Sequence, residues 1–166
     1  MDTIQIEAGS FRDPAGKIFY KDNKVFRILE NEGIKRFKFL KSSGLLNDLI
    51  QKEFLIECKE MNDGEINFEN FKENKIIEHK KLDYISYPYE WSFEQLKDAA
   101  IHHLDFHIFL LNNEATLLDA SAFNIQFSGH KTVFIDVLSI KEYEEGEYWK
   151  AHKQFCENFL NPLILK

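Results

Sequence analysis

The pattern of apolar and polar positions near the start of the chain predicts a β-hairpin. Two apolar, β-favouring runs at 18–20 and 25–29 flank a polar turn at 21–24, so the hairpin is expected within 11–29. A tighter turn is predicted just before it, at Asp13–Gly16. The pattern indicates that this end of the chain is rich in β-structure.

A helical repeat follows, and then a polar stretch. Residues 34–52 have apolar positions at helical spacing, with a break at 42–44, where two serines and a glycine interrupt the pattern. The polar segment 59–74 is predicted to be a surface loop with one possible short strand. Residues 75–87 are predicted to form one or two strands that stop at Pro88, because proline cannot donate to a sheet ladder.

The clearest predicted helix begins after Ser92. Ser92 and Gln95 have the spacing of a capping box, in which the two side chains bond reciprocally to backbone N–H groups. The helix is expected to end at Asn112 or Asn113. The apolar residues at helical spacing within it are Leu96, Ala100, Leu104, Ile108 and Leu111.

The last third of the chain is predicted to contain a second hairpin and a final helix. A loop is expected over 114–123, followed by strands at 124–127 and 133–136. Residues 147–160 are expected to form the closing helix. The combination of predicted hairpins and separate helices makes the chain an α+β protein.

Composition narrows the classes of function. The chain has 166 residues, 44% of them hydrophobic and 16 of them phenylalanine, which is enough for a packed core. The formal net charge of -7 argues against a nucleic-acid partner, which requires a clustered basic face. The sequence shows neither a signal peptide nor an apolar run of the roughly 20 residues that a membrane span needs. We therefore expect a cytoplasmic protein with no membrane partner.

One pair of histidines has the spacing of a metal site. His103 and His107 are four residues apart on the predicted helix, but no third ligand is evident and the glutamate of an H-E-x-x-H site is absent. Packed or surface histidines are the expected outcome.

Three polar residues carry the strongest signal for chemistry. Asp119 and Asn124 are separated as in D-x-x-x-x-N, and Asp136 follows twelve residues later, after the predicted hairpin. Protein kinases have this arrangement in the catalytic loop and the magnesium site that follows it.

The expected hairpin would bring two of these side chains together. If the numbers of paired residues sum to 260, Asn124 lies opposite Asp136 at the open end of the hairpin. The same register places four apolar side chains on one face, namely Ile125, Phe127, Val133 and Ile135. An amide oxygen beside a carboxylate suits Mg²⁺, and Asp119 could then accept or orient a hydroxyl group. The alternative is that Asp119 caps a turn, Asn124 starts a strand and Asp136 ends one.

With these residues the chain resembles the protein-kinase-like superfamily, especially its branch of small-molecule kinases. The resemblance implies a small β-rich N-terminal lobe at 1–88 and a helical C-terminal lobe at 89–166, which is truncated. It also implies Mg²⁺ at Asn124 and Asp136, a catalytic role for Asp119 and ATP as cofactor. The hinge strand near adenine would be 85–90, which contains Tyr87 and Tyr89.

Several kinase features are missing from the sequence. Leu117 and Leu118 stand where His-Arg would precede Asp119, and no G-x-G-x-x-G loop is present. Arg27 is the best substitute for the phosphate-binding lysine, although a solvated strand charge is the alternative. Asp48 or Glu53 would be its acidic partner.

A second resemblance covers nearly the entire chain. The segments 10–16, 86–93 and 118–127 resemble the N-terminal region of bacterial nodulation-type proteins, often named as SAM-dependent methyltransferases. The resemblance implies a methyltransferase domain or partner. None of the seven glycines lies in a G-x-G arrangement, so we do not expect this chain alone to transfer methyl groups.

Three functions are therefore open. The first is an active phosphotransferase acting on a small-molecule or sugar hydroxyl. The second is a degenerate ATP- and Mg-binding module that is associated with a methyltransferase domain or partner. The third is a non-catalytic interaction domain.

Overall fold

The contacts of the chain divide into two compact units. The computed structural model describes residues 4–7, 9–10, 13–62 and 75–165. One unit consists of Met1–Lys38 and Glu57–Lys81, and the other of Phe39–Ile56 and Leu82–Lys166. These units differ from the two lobes predicted at 1–88 and 89–166, because residues 39–56 and 82–88 belong to the second unit.

The first unit is built on a five-stranded antiparallel sheet with the strand order β1-β2-β3-β5-β4. Its strands are β1 (Gln5–Ile6), β2 (Gly16–Lys21), β3 (Lys24–Leu29), β4 (Cys58–Glu60) and β5 (Lys75–His79). Phe19 and Phe26 stack with their ring centroids 5.2 Å apart and form a buried cluster with Ile28 and Ile76. This cluster is the apolar core of the sheet.

The first hairpin is confirmed over the described residues. β2 and β3 pair around Asp22 and Asn23, whose φ angles of 49° and 62° lie in the left-handed region. Two successive residues of this kind form the tight turn whose twist matches that of the strands. Positions 11 and 12 of the predicted hairpin lie outside the described residues.

Two predictions around β4 and β5 had different outcomes. β4 is the short strand expected near residue 59, whereas 63–74 of the predicted loop lie outside the described residues. The strand predicted over 75–87 ends at His79, so its second half is wrong. His79 faces Val25 on β3 and Cys58 on β4, and these are the last residue pairs that β5 forms with its two neighbours.

The predicted helix at 34–52 is two helices, α1 (Asn31–Ser42) and α2 (Leu45–Gln51). The break expected at 42–44 is confirmed. Gly44 has a φ of 79°, which favours glycine because other residues are strained there. Leu45, Leu46 and Leu49 of α2 are buried, as their spacing predicted.

The second unit is organised around α3 (Phe93–Leu111), and the predicted capping box is present. The Gln95 N–H donates to Ser92 Oγ at 3.3 Å, and the Ser92 N–H donates to Gln95 Oε1 at 2.9 Å. The apolar face of α3 differs from the expected stripe, because Leu104, Ile108 and Leu111 are exposed. The buried face consists of Ala99, Ala100, His103, Phe106, His107 and Leu110.

Two short antiparallel sheets follow α3. One pairs β6 (Ala115–Leu117) with β9 (Ile140–Glu142), and the other pairs β7 (Ile125–Ser128) with β8 (Lys131–Phe134). The region predicted as a loop from 114 therefore begins with a strand.

The chain closes with a helical segment that has an irregular centre. α4 (His152–Phe155) leads through a π-helical turn (Cys156–Leu160) into α5 (Asn161–Ile164). The prediction of one helix over 147–160 is wrong at its start, since 147–151 are not helical. Pro162 lies in the first turn of α5 and does not end the helical segment. Proline is tolerated there because the N–H groups of a first helical turn have no carbonyl partner within the helix.

The described part of the chain is a mixed α+β fold with a small antiparallel sheet and a helical part. Within those residues, no helix combines the length and apolar character that crossing a bilayer requires.

Candidate functional site

The loop that carries Asp119 is held by its own side chains. Asp119 Oδ1 accepts a hydrogen bond from the Ser121 N–H at 2.5 Å, and Ser121 Oγ accepts from the Phe123 N–H at 3.3 Å. Ser121 begins the short 3-10 helix Ala122–Asn124, which leads directly into β7. Asp119 is half-buried, and it has the turn-capping contact that was the alternative interpretation.

The closing helical segment fixes the same loop from outside. Gln154 Oε1 accepts from the Ala120 N–H at 2.9 Å, and Asn158 Oδ1 accepts from the Ala122 N–H at 3.1 Å. Two amide side chains, four positions apart across the start of the π-helical turn, therefore bond to alternate N–H groups of the loop. No sequence pattern marks either residue, since a lone Gln and a lone Asn are ordinary in a helix.

These two contacts lead to a testable prediction. We expect Gln154→Ala combined with Asn158→Ala to speed amide hydrogen exchange at Ala120 and Ala122, because each loses a hydrogen bond worth about 1 kcal/mol. The amides of α3 should keep their protection. Lys153→Ala is the matched control, since its side chain is exposed and pairs only with Glu157 among the described contacts. Equal exchange rates in the double variant and the wild type would contradict this role.

The hairpin that should unite Asn124 and Asp136 has a different register from the predicted one. Ile125 faces Phe134, so the paired numbers sum to 259 and not to 260, and the Ile135 N–H donates to the Asn124 carbonyl at 2.8 Å. Asn124 thus lies opposite Ile135, one position before Asp136. The prediction of a direct Asn124–Asp136 pair is wrong.

The turn explains this shift. Ser128 pairs with Lys131, which leaves a two-residue turn with Gly129 at a φ of 65°. The predicted register would have needed a three-residue turn at 129–131, between Ser128 and Thr132. The buried pair is consequently Ile125 and Phe134, and the predicted apolar face of Ile125, Phe127, Val133 and Ile135 is wrong as a set.

Asp136 is half-buried at the end of this hairpin and caps the 3-10 turn Val137–Ser139. Its Oδ1 accepts from the Leu138 N–H at 3.2 Å, and its Oδ2 accepts from the Ser139 hydroxyl. These two bonds fix the orientation of the carboxylate at the end of the hairpin. Asn124 is also half-buried. The magnesium role of the two residues stays a prediction.

Tyr87 and Tyr89 form an exposed pair of parallel rings. Their centroids are 5.4 Å apart with an interplanar angle of 3°, and Tyr89 is 77% exposed. Phe123 lies 6.5 Å from Tyr87, which places this ring pair beside the loop that ends at Asn124.

The segment that carries these rings is anchored at both ends. The buried amide of Gln126 forms two hydrogen bonds of 3.0 Å with the backbone N–H and carbonyl of Ser86. Trp91 is buried and donates to Ser86 Oγ at 2.9 Å, while the Tyr87 N–H donates to Glu90 Oε2 at 2.8 Å. The anchoring holds exposed aromatic rings in a defined orientation. A polar residue inside a short apolar strand, here Gln126, is the signal that could have revealed it.

Arg27 lies in the first unit and is not a solvated strand charge. Its side chain is buried on β3 and forms an ion pair with Asp13 in the preceding turn. The predicted partners do not match this contact: Asp48 is an exposed residue of α2, and Glu53 pairs with Lys131.

His103 and His107 are packed rather than arranged for a metal. His103 is fully buried, and its ring is within 6 Å, between centroids, of four aromatic rings: Phe134, Trp149, Phe155 and Phe159. Among the described residues, neither ring nitrogen has a hydrogen-bond partner. Burial lowers the pKa of His103 to about 3 and that of His107, which bonds to Thr116 Oγ1 at 3.0 Å, to about 4. No group of three His, Cys, Asp or Glu side chains in the described ranges is placed to hold a metal ion.

Comparison with solved structures defines the class of fold. The chain is similar to a structure of vaccinia related kinase 3, with a TM-score of 0.53 and 13% sequence identity over 90% of this chain and 51% of that one. The described fold is therefore kinase-like.

A relative by sequence is the nodulation protein NoeA of Rhizobium meliloti (strain 1021). It is 38% identical over 162 residues, which cover 96% of this chain. The chain spans 33% of the length of this curated relative. No protein-family model matches the chain.

Proposed function

We propose that the chain is a kinase-like module that binds a magnesium–nucleotide complex, with Asn124 and Asp136 as metal ligands. The observation that carries the proposal is the D-x-x-x-x-N motif at 119–124 followed by Asp136, on a loop and hairpin within a kinase-like fold. Both oxygen-bearing side chains are half-buried at the same end of the β7–β8 hairpin. Oxygen ligands of this kind, together with phosphate oxygens and water, complete the shell that Mg²⁺ prefers.

The exposed rings of Tyr87 and Tyr89 are proposed to stack against the adenine base. Their parallel orientation and the anchoring of Ser86 by Gln126 support this role, because a preorganised ring loses little freedom on binding. Base stacking on an exposed aromatic side chain contributes on the order of 1–3 kcal/mol.

Asp119 is proposed to position the attacking hydroxyl of a small molecule or sugar if the module is catalytic. Its carboxylate already has a fixed orientation through the Ser121 N–H. The absence of a glycine-rich loop and of His-Arg before Asp119 favours a degenerate module over a fully active kinase.

The module is further proposed to act beside a methyltransferase domain or partner. This proposal rests on the whole-chain resemblance to nodulation-type proteins, and the similarity to NoeA over 96% of this chain supports that resemblance. A non-catalytic interaction domain is the alternative if nucleotide does not bind.

Thermal stability in the presence of ATP tests the proposal. A ligand at 100 times its dissociation constant stabilises the folded state by about 2.7 kcal/mol. We expect ATP to raise the melting temperature only when Mg²⁺ is present, and Asp136→Asn to abolish the rise. Asparagine can still cap the 3-10 turn, so this variant removes the charge while retaining the fold.

Two further variants separate binding from chemistry. Asp119→Ala should retain the magnesium-dependent rise, since Asp119 is proposed to orient the acceptor and not the metal. Glu145→Gln, at an exposed position, is the control for loss of a negative charge. An unchanged melting temperature of the wild type at millimolar magnesium–ATP would exclude the nucleotide-binding function for this chain.

A further inference from the structure

A cavity in the unit that consists of Phe39–Ile56 and Leu82–Lys166 has features of a ligand site. It shares no residue with the proposed nucleotide site. Its volume is about 430 Å³, within the range of small-molecule pockets. It is lined by the segment after α2 at 52–54, by the middle of α3 and by residues 130–132 at the start of β8.

The α3 wall of this cavity is acidic. Asp98 and Asp105 are seven residues apart on α3, so they lie on one face, about 10 Å from each other along the axis. Within the described part of the chain, neither carboxylate forms a hydrogen bond or an ion pair, whereas the neighbouring Glu94 pairs with Lys97. This wall therefore presents two carboxylates that lack a hydrogen-bond or ion-pair partner among the described residues.

The facing wall carries the basic groups. Lys131 is the first residue of β8 and pairs with Glu53. Lys52 lies with its Nζ 5.4 Å from the centre of the Phe109 ring. His130 lies beside Lys131, in the turn before β8. This side of the cavity thus carries two lysines and one carboxylate, that of Glu53, which pairs with Lys131, so that Lys52 is its cation without a carboxylate partner among the described contacts.

The surface between the walls is aromatic and apolar. The Phe54 ring stacks on Phe106 with centroids 5.6 Å apart, and Ile101 lines the cavity beside it. His102 Nε2 lies 3.2 Å from the Phe54 carbonyl, and burial lowers the pKa of His102. A neutral ring that donates from Nε2 leaves Nδ1 as an acceptor.

We propose that this cavity binds a free α-amino acid with an apolar side chain. The ammonium group lies on the side of Asp98 and Asp105, and the carboxylate lies on the side of Lys52 and Lys131. The side chain packs on Phe54. A zwitterion fits both walls at once, whereas a simple cation or anion leaves one wall unmatched.

Binding of phenylalanine and two capped analogues tests this inference, by chemical-shift changes of the backbone amides. Phenylalanine carries both charges, phenylalaninamide only the cation and N-acetylphenylalanine only the anion. We expect phenylalanine to shift the amides around 52–54, 98–105 and 130–132, and each analogue to bind at least about tenfold more weakly, since about 1.4 kcal/mol corresponds to tenfold. Leucine and isoleucine serve as further probes of the apolar part.

Variants assign each wall. Asp98→Asn with Asp105→Asn should weaken phenylalanine binding about tenfold or more but leave N-acetylphenylalanine unchanged. Glu145→Gln should change neither. Equal affinity for all three compounds, or no shift in this region with phenylalanine, leucine or isoleucine at 10 mM (roughly the weak-binding limit of the affinity scale), would overturn the proposal. Because the site is separate from Asn124 and Asp136, this result does not depend on nucleotide binding.

Discussion

Phe134→Ala is expected to lower the free energy of unfolding of the Leu82–Lys166 unit by about 3–5 kcal/mol. The Phe134 side chain is fully buried, and its ring centroid is 5.1 Å from that of Phe106. The backbone of Phe134 forms two further hydrogen bonds of 2.9 Å. The Phe134 N–H donates to the Phe54 carbonyl, and the Phe134 carbonyl accepts from the Ile56 N–H. Truncation therefore leaves a cavity at a point where three segments meet, which limits how far the surroundings can collapse.

Urea unfolding followed by tryptophan fluorescence is a suitable measurement, because both tryptophans, Trp91 and Trp149, lie in this unit. The midpoint should fall with little change in the denaturant dependence. Phe123→Ala is the matched control, since Phe123 is 52% exposed and should cost less than about 1 kcal/mol. Losses of equal size in the two variants would show that Phe134 is not the core residue described above.

The second large effect is a loss of stability in acid that His103 causes. Burial lowers the pKa of His103 to about 3 in the folded state, from the ordinary value of 6.5. Above pH 6.5 neither state binds a proton at this ring. Between pH 6.5 and 3 only the unfolded state does, so the free energy of unfolding decreases as the pH falls.

The slope for one such group is about 1.4 kcal/mol per pH unit, which amounts to about 2–3 kcal/mol between pH 6.5 and 4.5. His107, with a pKa of about 4, adds a loss of the same sign. His103→Phe keeps an aromatic ring among Phe134, Trp149, Phe155 and Phe159 but cannot bind a proton, so its stability should depend less steeply on pH.

The control for this experiment is His130→Gln, at an exposed turn position, which should retain the wild-type pH profile. Urea titrations at half-unit steps between pH 7 and 4.5 provide the comparison. If His103→Phe and the wild type lose stability in parallel, the buried histidine does not cause the acid dependence.

Local signals in the sequence were sufficient for the first hairpin, the break near Gly44 and the start of α3. Each depends on residues close in sequence: a polar turn between apolar runs, a glycine with positive φ, and a serine three residues before a glutamine. Such contacts form within one turn or one hairpin, so the sequence window contains both partners.

Features that depend on distant partners could not be read in the same way. The pairing of β5 with both neighbouring strands stops at His79, although apolar residues recur beyond it. The side of α3 that is buried includes two histidines, which were not counted as core residues, while Leu104 and Ile108 are exposed. Tertiary packing decided these outcomes, and polarity alone did not.

In the candidate site, too, the local spacing of residues was predictable and the longer-range arrangement was not. The spacing of Asp119, Asn124 and Asp136 was sufficient to propose the motif, but the hairpin register depended on whether the turn has two or three residues. Turns of both lengths contain Gly129, so the sequence does not distinguish them. The difference of one residue in the turn places Asn124 opposite Ile135 rather than opposite Asp136. Gln154 and Asn158, which hold the loop, come from more than 30 residues away.

Mn²⁺ in place of Mg²⁺ tests the central claim most directly, because it occupies the same oxygen-rich sites and broadens the NMR signals of nearby nuclei. In the presence of ATP, we predict selective broadening of the backbone amides at 119–124 and 135–137, and its loss in Asp136→Asn. Broadening that is confined to other carboxylates, such as Asp98 and Asp105, or that persists unchanged in Asp136→Asn, would contradict a metal–nucleotide site at Asn124 and Asp136.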